Sequence, residues 1–346
     1  MSQNSNPVRI GLAGYGIGGR VFHAPLLASA PGVDFLGVVT RSAERRKQVD
    51  ADLPGRRTFD DLAALAAAGA EAVAISTPAD THIPLALEAL RLGLAVVCDK
   101  PFALDPASAR AAVEEAEARG LALSVYQNRR WDSDFATLTD VVRAGTLGQV
   151  RRFESAFERF SPVPGPPAAG RGTLLDFGSH LVDQALRLFG PVRHVYAELG
   201  RMSPDALDDD ILLTLAHDTG VRSLLSGSWV QGAPRPRFRV TGTEGAYVVD
   251  GVDVQESLLL AGHTPAELGE RWGAEPGTRY SAIVRGAFSS PVPLRRGRWD
   301  AFYPAFAAAV RGAGPVPVDP HDALATAVVL DGARCSADSG TVISLP

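Results

Sequence analysis

The first third of the chain alternates between short, continuous apolar runs and amphipathic stretches. The runs fall at 8–13, 33–39, 72–76, 94–98 and 121–126, each of a length for one buried strand. Between them the pattern predicts helices over 20–30, 59–68, 84–92 and 106–119, the last ended by Gly120. Unbroken apolar runs suit strands covered on both faces, and strand–helix repetition predicts a parallel, doubly wound sheet. The alternation stops near residue 125. A helical stretch opened by Gln127 and ending near Gly145 follows, and then strands are predicted over 150–157, 192–199, 211–216, 221–229, 238–241 and 246–250. Strands in succession without helices predict a large, mostly antiparallel open sheet. A Pro/Gly-rich loop at 161–172 and a helix over 174–189, apolar at Leu174, Phe177, Leu181, Ala185 and Leu188, interrupt the series. Two helices, 299–311 and 320–337, close the chain, and 251–298 carries no readable period. The expected class is α/β, with domains at 1–125 and 126–346.

Length and composition narrow the field. At 346 residues, 46% of them hydrophobic, the chain has material for two ordinary globular domains. A net charge of −5, with acidic and basic residues interspersed, argues against nucleic-acid and anionic-membrane partners, which reward a basic face. No apolar run reaches a membrane span: the Ala-rich stretch 62–74 is interrupted by Gly69 and Glu71. The polar first residues lack the features of a signal peptide, so the cytoplasm is expected. Cys98 and Cys335 cannot make a disulfide framework, and each is expected as a small buried hydrophobe. Of 34 lysines and arginines only Lys47 and Lys100 are lysines. Lys47 lies on a polar helical stretch and carries no special reading. A lysine amine can change protonation state where a guanidinium cannot, which makes Lys100 the more telling of the two.

The chemistry concentrates where predicted strands end. After the first strand, Gly14, Gly16 and Gly19 stand at G-x-G-x-x-G spacing, with Tyr15, Ile17 and Gly18 between them. A tight turn, close approach of a pyrophosphate to the backbone, and close helix–strand packing each require one of these glycines. The phosphates would meet free N–H groups at a helix start. A position roughly 20 residues past these glycines selects the dinucleotide. It reads Thr40-Arg41-Ser42, with Arg45 one turn on, and lacks the carboxylate that favours an unphosphorylated ribose. Hydroxyl and guanidinium groups suit a 2′-phosphate, so NADP is preferred and NAD is the alternative; a solvated helix start is the competing reading. Ser76, Thr77 and Pro78 end the next strand and lead to His82, and Asp99-Lys100-Pro101 ends the one after. All of these should border the cofactor. On the helix 174–189, Asp176 and His180 share a face four residues apart, suiting a general acid/base pair. No further ligands stand at a spacing that supports a metal site. Taken alone, that pair reads equally as a helix-start carboxylate and a packed imidazole.

Taken together, Gly14-Tyr15-Gly16, Phe22-His23-Ala24-Pro25, Thr77-Pro78 with His82, Asp99-Lys100-Pro101, Asn128-Arg129-Arg130-Trp131-Asp132, and Asp176 with His180 resemble the glucose–fructose oxidoreductase/inositol dehydrogenase/rhizopine-catabolism (Gfo/Idh/MocA) group. The likeness spans nearly the whole chain and is strongest to the branch of NADP-dependent scyllo-inositol dehydrogenases. It implies a Rossmann domain followed by an α/β domain, and a homodimer or homotetramer formed through the C-terminal sheet. It also implies hydride transfer between NADP and a secondary alcohol or ketone of a sugar or cyclitol. Lys100 would touch substrate and nicotinamide, Asp176 would bind substrate, His180 would be catalytic, and Asn128 and Trp131 would stand on the substrate side. Two departures weigh on the polyol: Asp99 replaces the commoner glutamate, and the loop 161–172 lacks a Trp-Arg pair. A nucleotide-binding regulator without turnover, and a reductase of a C=N or C=C bond, stay open as alternatives.

Overall fold

The five apolar runs of the first third become parallel strands, and a short polar strand that no run announced joins them: β1 (Val8–Ala13), β2 (Val33–Val39), β3 (Arg57–Phe59), the unannounced one, β4 (Ala72–Ile75), β5 (Ala95–Cys98) and β6 (Leu123–Val125). Their order in the sheet is β3-β2-β1-β4-β5-β6, so the direction of winding reverses between β1 and β4. Every residue of β4 and β5 is buried, as helices on both faces require. The computed structural model describes residues 6–163, 165–233 and 235–346. Two local expectations shift. Phe59 closes β3 rather than opening a helix; the helix is Leu62–Ala67, with Asp61 accepting the Ala64 N–H at its start. The segment after the glycines is one wide π-helical turn, Gly18–His23, continued by Ala24–Ser29 with Pro25 in its first turn.

The second sheet has nine strands. They are β7 (Val150–Glu158), β8 (Val192–Gly200), β9 (Asp210–His217), β10 (Arg222–Ser228), β11 (Phe238–Gly242), β12 (Ala246–Val249), β13 (Ser281–Arg285), β14 (Phe288–Pro291) and β15 (Ile343–Ser344). In the order β14-β13-β12-β11-β7-β10-β9-β8-β15, β7 and β10 run parallel and the other pairs antiparallel. The helix Thr173–Phe189 covers one face. Phe177, Leu181 and Ala185 join the core with Phe153, Leu213 and Leu225 from the strands below, and the Phe177 ring centroid lies 4.4 Å from that of Phe157. Leu188, expected on the apolar stripe, is half-buried, and Phe189 fills the end of that core instead.

The chain forms two compact units, but not two consecutive ones. Met1–Asn128 is joined by Gln255–Trp272 and Arg298–Ala323; the rest makes the second unit. The division at 126–346 therefore gives way to a chain that returns twice, because the later segments bury their apolar side chains against the first sheet's layer. Trp299, Phe302, Tyr303 and Phe306 are all buried, the Phe302 ring lies 4.8 Å from Tyr126, and the Val318 N–H donates to Ser124 Oγ at 3.1 Å. Cys98 is buried as expected, whereas Cys335 is exposed. On the helix Pro320–Ser339 the inward position falls to Ser336, whose hydroxyl accepts the Ala197 N–H, and Cys335 is carried outward beside Arg334. Among the described residues no helix is long and apolar enough to cross a membrane.

One carboxylate ties the first unit's ends together. Glu71 accepts the backbone N–H of Arg9 at 3.1 Å and the guanidinium of Arg311 at 2.7 and 3.1 Å. The Arg311 bonds, more than offsetting burial, pull its pKa down to about 2 from an ordinary 4.5. A depressed carboxylate stabilises the fold above its unfolded value and loses that contribution as pH falls through the folded one. Glu71→Gln is expected to lower unfolding stability at pH 7 by about 1 kcal/mol, reduced by partial exposure. The gap from the parent should close between pH 4.5 and about 2; a gap that ignores pH in thermal melts would refute the assignment.

Candidate functional site

The glycine turn is shaped by what its residues cannot carry. Gly14 has φ +97°, and a Cβ there would stand 2.2 Å from the Ser76 carbonyl oxygen. A Cβ on Gly19 would stand 2.2 Å from the Gly14 carbonyl oxygen, and one on Gly18 2.5 Å from Ser76 Oγ. Gly16 differs: a Cβ there would meet no protein atom within 4 Å. Three glycines are thus demanded by the fold, and the fourth faces open space at the switch point, where a phosphate can reach the backbone. Ile17 beside it is 74% exposed, a large apolar side chain with no protein cover. Tyr15 turns the other way: it is buried, and its hydroxyl donates to Asp52, which also takes the Arg20 guanidinium at 2.6 Å. Burial and the Asp52 carboxylate push the Tyr15 phenol well above its ordinary value. The residues present fit a dinucleotide.

The ends of β4 and β5 meet this turn. Ser76 Oγ donates to Asp99 Oδ2 at 2.9 Å, and Asp99 Oδ1 accepts the backbone N–H of Lys100 at 2.8 Å. His23 Nε2 lies 3.2 Å from Asp99 Oδ2. Burial works to raise the Asp99 carboxyl, but His23, Lys100 and His82 together outweigh it and hold the group well below the usual carboxylate range. Lys100 is half-buried at this edge. His82 is buried with its ring nitrogens 2.8 Å from the Pro101 oxygen and 2.9 Å from the Thr77 oxygen, bracing the two loops. Thr77 Oγ1 accepts from Thr81, and Pro78 is exposed at the loop's tip.

At the end of β2, the Thr40 N–H donates to the Phe59 oxygen and Thr40 Oγ1 accepts from Ser42 N. Ser42 caps the helix Ala43–Asp52 by accepting the Arg45 N–H. Arg41 is exposed with its Nε 3.2 Å from the Asp60 oxygen, while the Arg45 guanidinium is paired with Gln48 at 2.7 Å. Asn128, in the first unit, is buried. Trp131, Asp176 and His180 belong to the second, where Trp131 and Asp176 are half-buried and His180 is 4% exposed.

Asp176 and His180 stand one turn apart on Thr173–Phe189, a helix whose polar residues are largely buried. Asp183 Oδ atoms take the Arg130 guanidinium at 2.6 and 2.8 Å, and the Gln184 amide bridges the Arg129 oxygen and the Arg237 guanidinium. The Pro/Gly-rich loop reaches the helix through a short turn, Ala168–Gly170, and the left-handed Arg171 (φ 61°). Gly170 packs against the Asp176 side chain. Asp208, absent from the residues singled out by sequence, holds the start: its Oδ2 accepts the Leu174 N–H at 2.6 Å and its carbonyl accepts the Thr173 N–H. Burial raises the Asp208 carboxyl against these N–H donors. Its three-aspartate neighbourhood at 208–210 was the only sequence signal, and its partner lies 34 residues away. Among the described residues, no group of three or more His, Cys, Asp or Glu could hold a metal ion.

A six-stranded parallel sheet with its glycine turn at the switch point defines a dinucleotide-binding fold of the Rossmann type. Residues 8–127 match the model of an oxidoreductase family with an NAD-binding Rossmann fold, and 135–248 match a GFO/IDH/MocA C-terminal domain. The chain is 36% identical over 336 residues to YdgJ, an uncharacterized oxidoreductase of Escherichia coli K12, covering 92% of this chain and 93% of that one. It is 28% identical to the Bacillus subtilis scyllo-inositol 2-dehydrogenase (NADP(+)) IolW, covering 98% and 96%. A Klebsiella pneumoniae protein provisionally designated an oxidoreductase superposes with a TM-score of 0.90 at 35% identity, covering 99% and 96%. The chain belongs to the Gfo/Idh/MocA family.

The glycines permit a contrast. Gly14→Ala should destabilise the fold and abolish nucleotide binding together, since both φ and the Ser76 oxygen exclude a methyl group. Gly16→Ala should leave the thermal midpoint unchanged yet weaken NADPH binding by about tenfold or more, because no protein atom stands where the methyl would go and a pyrophosphate bound on this turn would meet it. Unchanged NADPH affinity in Gly16→Ala, measured by calorimetric titration, would move the phosphates elsewhere.

Proposed function

We propose that the protein is an NADP-preferring oxidoreductase that interconverts a secondary alcohol and a ketone on a sugar or cyclitol. The observation that carries this reading is the open backbone at Gly16, on the same sheet edge as the Asp99-anchored Lys100. The bound nicotinamide supplies or accepts the hydride. Lys100 polarises the substrate oxygen and favours its oxyanion character. His180 takes or returns the hydroxyl proton, and Asp176, one turn back, orients the imidazole or a neighbouring hydroxyl. Asn128 and Trp131 contact the substrate. Gly14, Tyr15, Gly16, Ile17, Gly18 and Gly19 form the pyrophosphate turn; Ser76, Thr77, Pro78 and Asp99 wall the nucleotide, and His82 braces their loops from behind.

Thr40, Arg41 and Arg45 receive the 2′-phosphate. The absence of a carboxylate at the end of β2 supports that choice, as does the NADP(+) in the name of the B. subtilis relative. The sugar or cyclitol class leans on that relative, on a Paraburkholderia graminis D-apiose dehydrogenase (29% identical, covering 91% of this chain and 84% of that one), and on the acid/base pair. Assembly into a homodimer or homotetramer through the open sheet belongs to the same reading. Ile211, Leu213 and Leu215 of β9 face the helix-covered core, which leaves Leu212, 42% exposed, on the other side. A monomer mass in light scattering would remove this assembly.

Titration with NADPH and NADH tests the cofactor, and a screen of scyllo-inositol and related sugars with NADP tests the substrate. NADPH should bind more tightly than NADH. Lys100→Met should cut turnover by at least about a thousandfold while leaving NADPH affinity within about threefold. Turnover retained in Lys100→Met refutes the catalytic assignment, and failure of the parent to bind either nucleotide refutes the function itself.

A further inference from the structure

His23 and Tyr303 lie 280 residues apart and meet inside the first unit. Both are buried, and His23 Nδ1 lies 2.5 Å from the Tyr303 hydroxyl. The other ring nitrogen, Nε2, faces Asp99 Oδ2 at 3.2 Å, on a slant that leaves it without a well-aligned hydrogen bond. A carboxylate oxygen of Asp99 can only accept, so the hydrogen belongs on Nε2. In the neutral ring Nδ1 then keeps a lone pair, to which the Tyr303 O–H donates. The Tyr126 ring, its centroid 4.2 Å from that of His23, walls the imidazole, and Tyr126 also packs on Tyr303 at 6.0 Å.

What this relay ends on gives it meaning. Asp99 Oδ2 takes Ser76 Oγ and faces His23, while Oδ1 takes the N–H of Lys100. The missing Cβ of Gly18 would lie 2.5 Å from Ser76 Oγ and 3.3 Å from Asp99 Oδ2, so the nucleotide turn rests directly on this carboxylate. His23 is the last residue of the π-helical turn that begins at Gly18. The same turn therefore meets the carboxylate at both ends, at Gly18 and at His23.

We propose that His23 and Tyr303 are positioning residues of the nucleotide site: the Tyr303–His23–Asp99 relay fixes the carboxylate that sets the Gly18 turn and the Lys100 backbone. Neither touches the reacting atoms. Tyr303 orients the imidazole, the imidazole holds the carboxylate's rotamer, and the carboxylate spaces the turn from Lys100. The relay rests on the dinucleotide site of the family and does not depend on the identity of the substrate.

The test uses NADPH alone as the probe, with the full chain. Tyr303→Phe, which removes only the hydroxyl, should weaken NADPH binding by about three- to tenfold. The same change in an Asp99→Asn background should add less than about twofold, because the relay no longer ends on a carboxylate. His23→Gln, whose amide N–H can reach the place of Nε2, should stay within about threefold of the parent, whereas His23→Leu should lose about tenfold. Equal losses in His23→Gln and His23→Leu, or a Tyr303→Phe effect of the same size in both backgrounds, would make the ring a mere spacer. Where His23→Leu does not fold, the Tyr303 and Asp99 cycle decides alone. Imidazole ¹⁵N resonances of the ligand-free protein give a readout independent of any nucleotide. An Nε2–H tautomer whose Nδ1 signal moves in Tyr303→Phe is expected, and an Nδ1–H tautomer overturns the relay. A parent that binds no NADPH would strike the function above, while leaving this tautomer result to judge the relay.

Discussion

Everything at the candidate nucleotide site depends on one close approach. The end of β1 and the end of β4 come together at Gly14 and Ser76, where a Cβ would have to sit 2.2 Å from a carbonyl oxygen. With that approach allowed, the Gly18–His23 turn settles on Ser76 and Asp99, and β5 delivers Lys100 to the same edge. A methyl group at Gly14 would both strain a left-handed backbone and hold these loops apart. The exclusion of one carbon atom therefore governs the turn, the carboxylate and the lysine as a set. β1 and β4 also flank the point where the winding reverses, which is where an open parallel sheet receives its ligand.

The second unit solves a different problem. Its site helix is buried nearly all round, so its polar residues must find partners inside the protein. Arg130 takes Asp183 with two bonds, Gln184 joins Arg129 to Arg237, and Arg237 stacks on Phe238 with 4.1 Å from guanidinium to ring. Burial draws the Arg237 pKa down to about 10, against the nearby Asp134 and Asp132, which keeps the group cationic at neutral pH. Buried ion pairs contribute little net stability against a well-packed apolar core, but breaking one leaves an uncompensated charge. The consequence is rotational: a helix held at Asp183 and Gln184 cannot turn about its axis without breaking several of these bonds. That fixes the direction in which Asp176 and His180 project.

Legibility follows from the range of the interactions. Five of the six parallel strands were readable because a strand buried on both faces must be apolar throughout, which is a local property; β3, the polar edge strand Arg57–Phe59, was not, and its last residue was read as a helix start. The glycine turn, Asp99-Lys100 and the Asp176/His180 pair stand out in the sequence because each is a short motif, the first two at strand ends and the last on one helix face; the roles given to them belong to the proposal above. The tract 251–298 was not. Its strands β13 and β14 are only five and four residues long, and its chemistry is spent on distant partners. Arg279 bonds Asp134 and Glu275, Asp253 caps Ser133, and none of this leaves a period in the sequence. Asp208 at the start of the site helix and the His23–Tyr303 pair escaped for the same reason: each acts across tens to hundreds of residues. Cys335 was misplaced because residue type alone decided its expected burial, whereas the helix Pro320–Ser339 gave the inward position to a serine that satisfies a backbone N–H.

The discontinuous first unit also has a physical basis. A parallel sheet must be covered on both faces, and its own crossover helices leave the edge near β6 and the start of β1 incompletely buried. The returning segments supply what is missing. Phe302, Tyr303 and Phe306 provide apolar cover beside Tyr126, Val318 pairs with Ser124, and Arg311 closes over the carbonyls of Asn6 and Pro7 while gripping Glu71. Tyr303 is thus placed by ordinary burial before it is used by His23. A residue that completes a hydrophobic layer rests with its hydroxyl against a buried imidazole. On the relay proposed above, cover and positioning arise from the same side chain, which ties the returning helix to the nucleotide site as well as to the core.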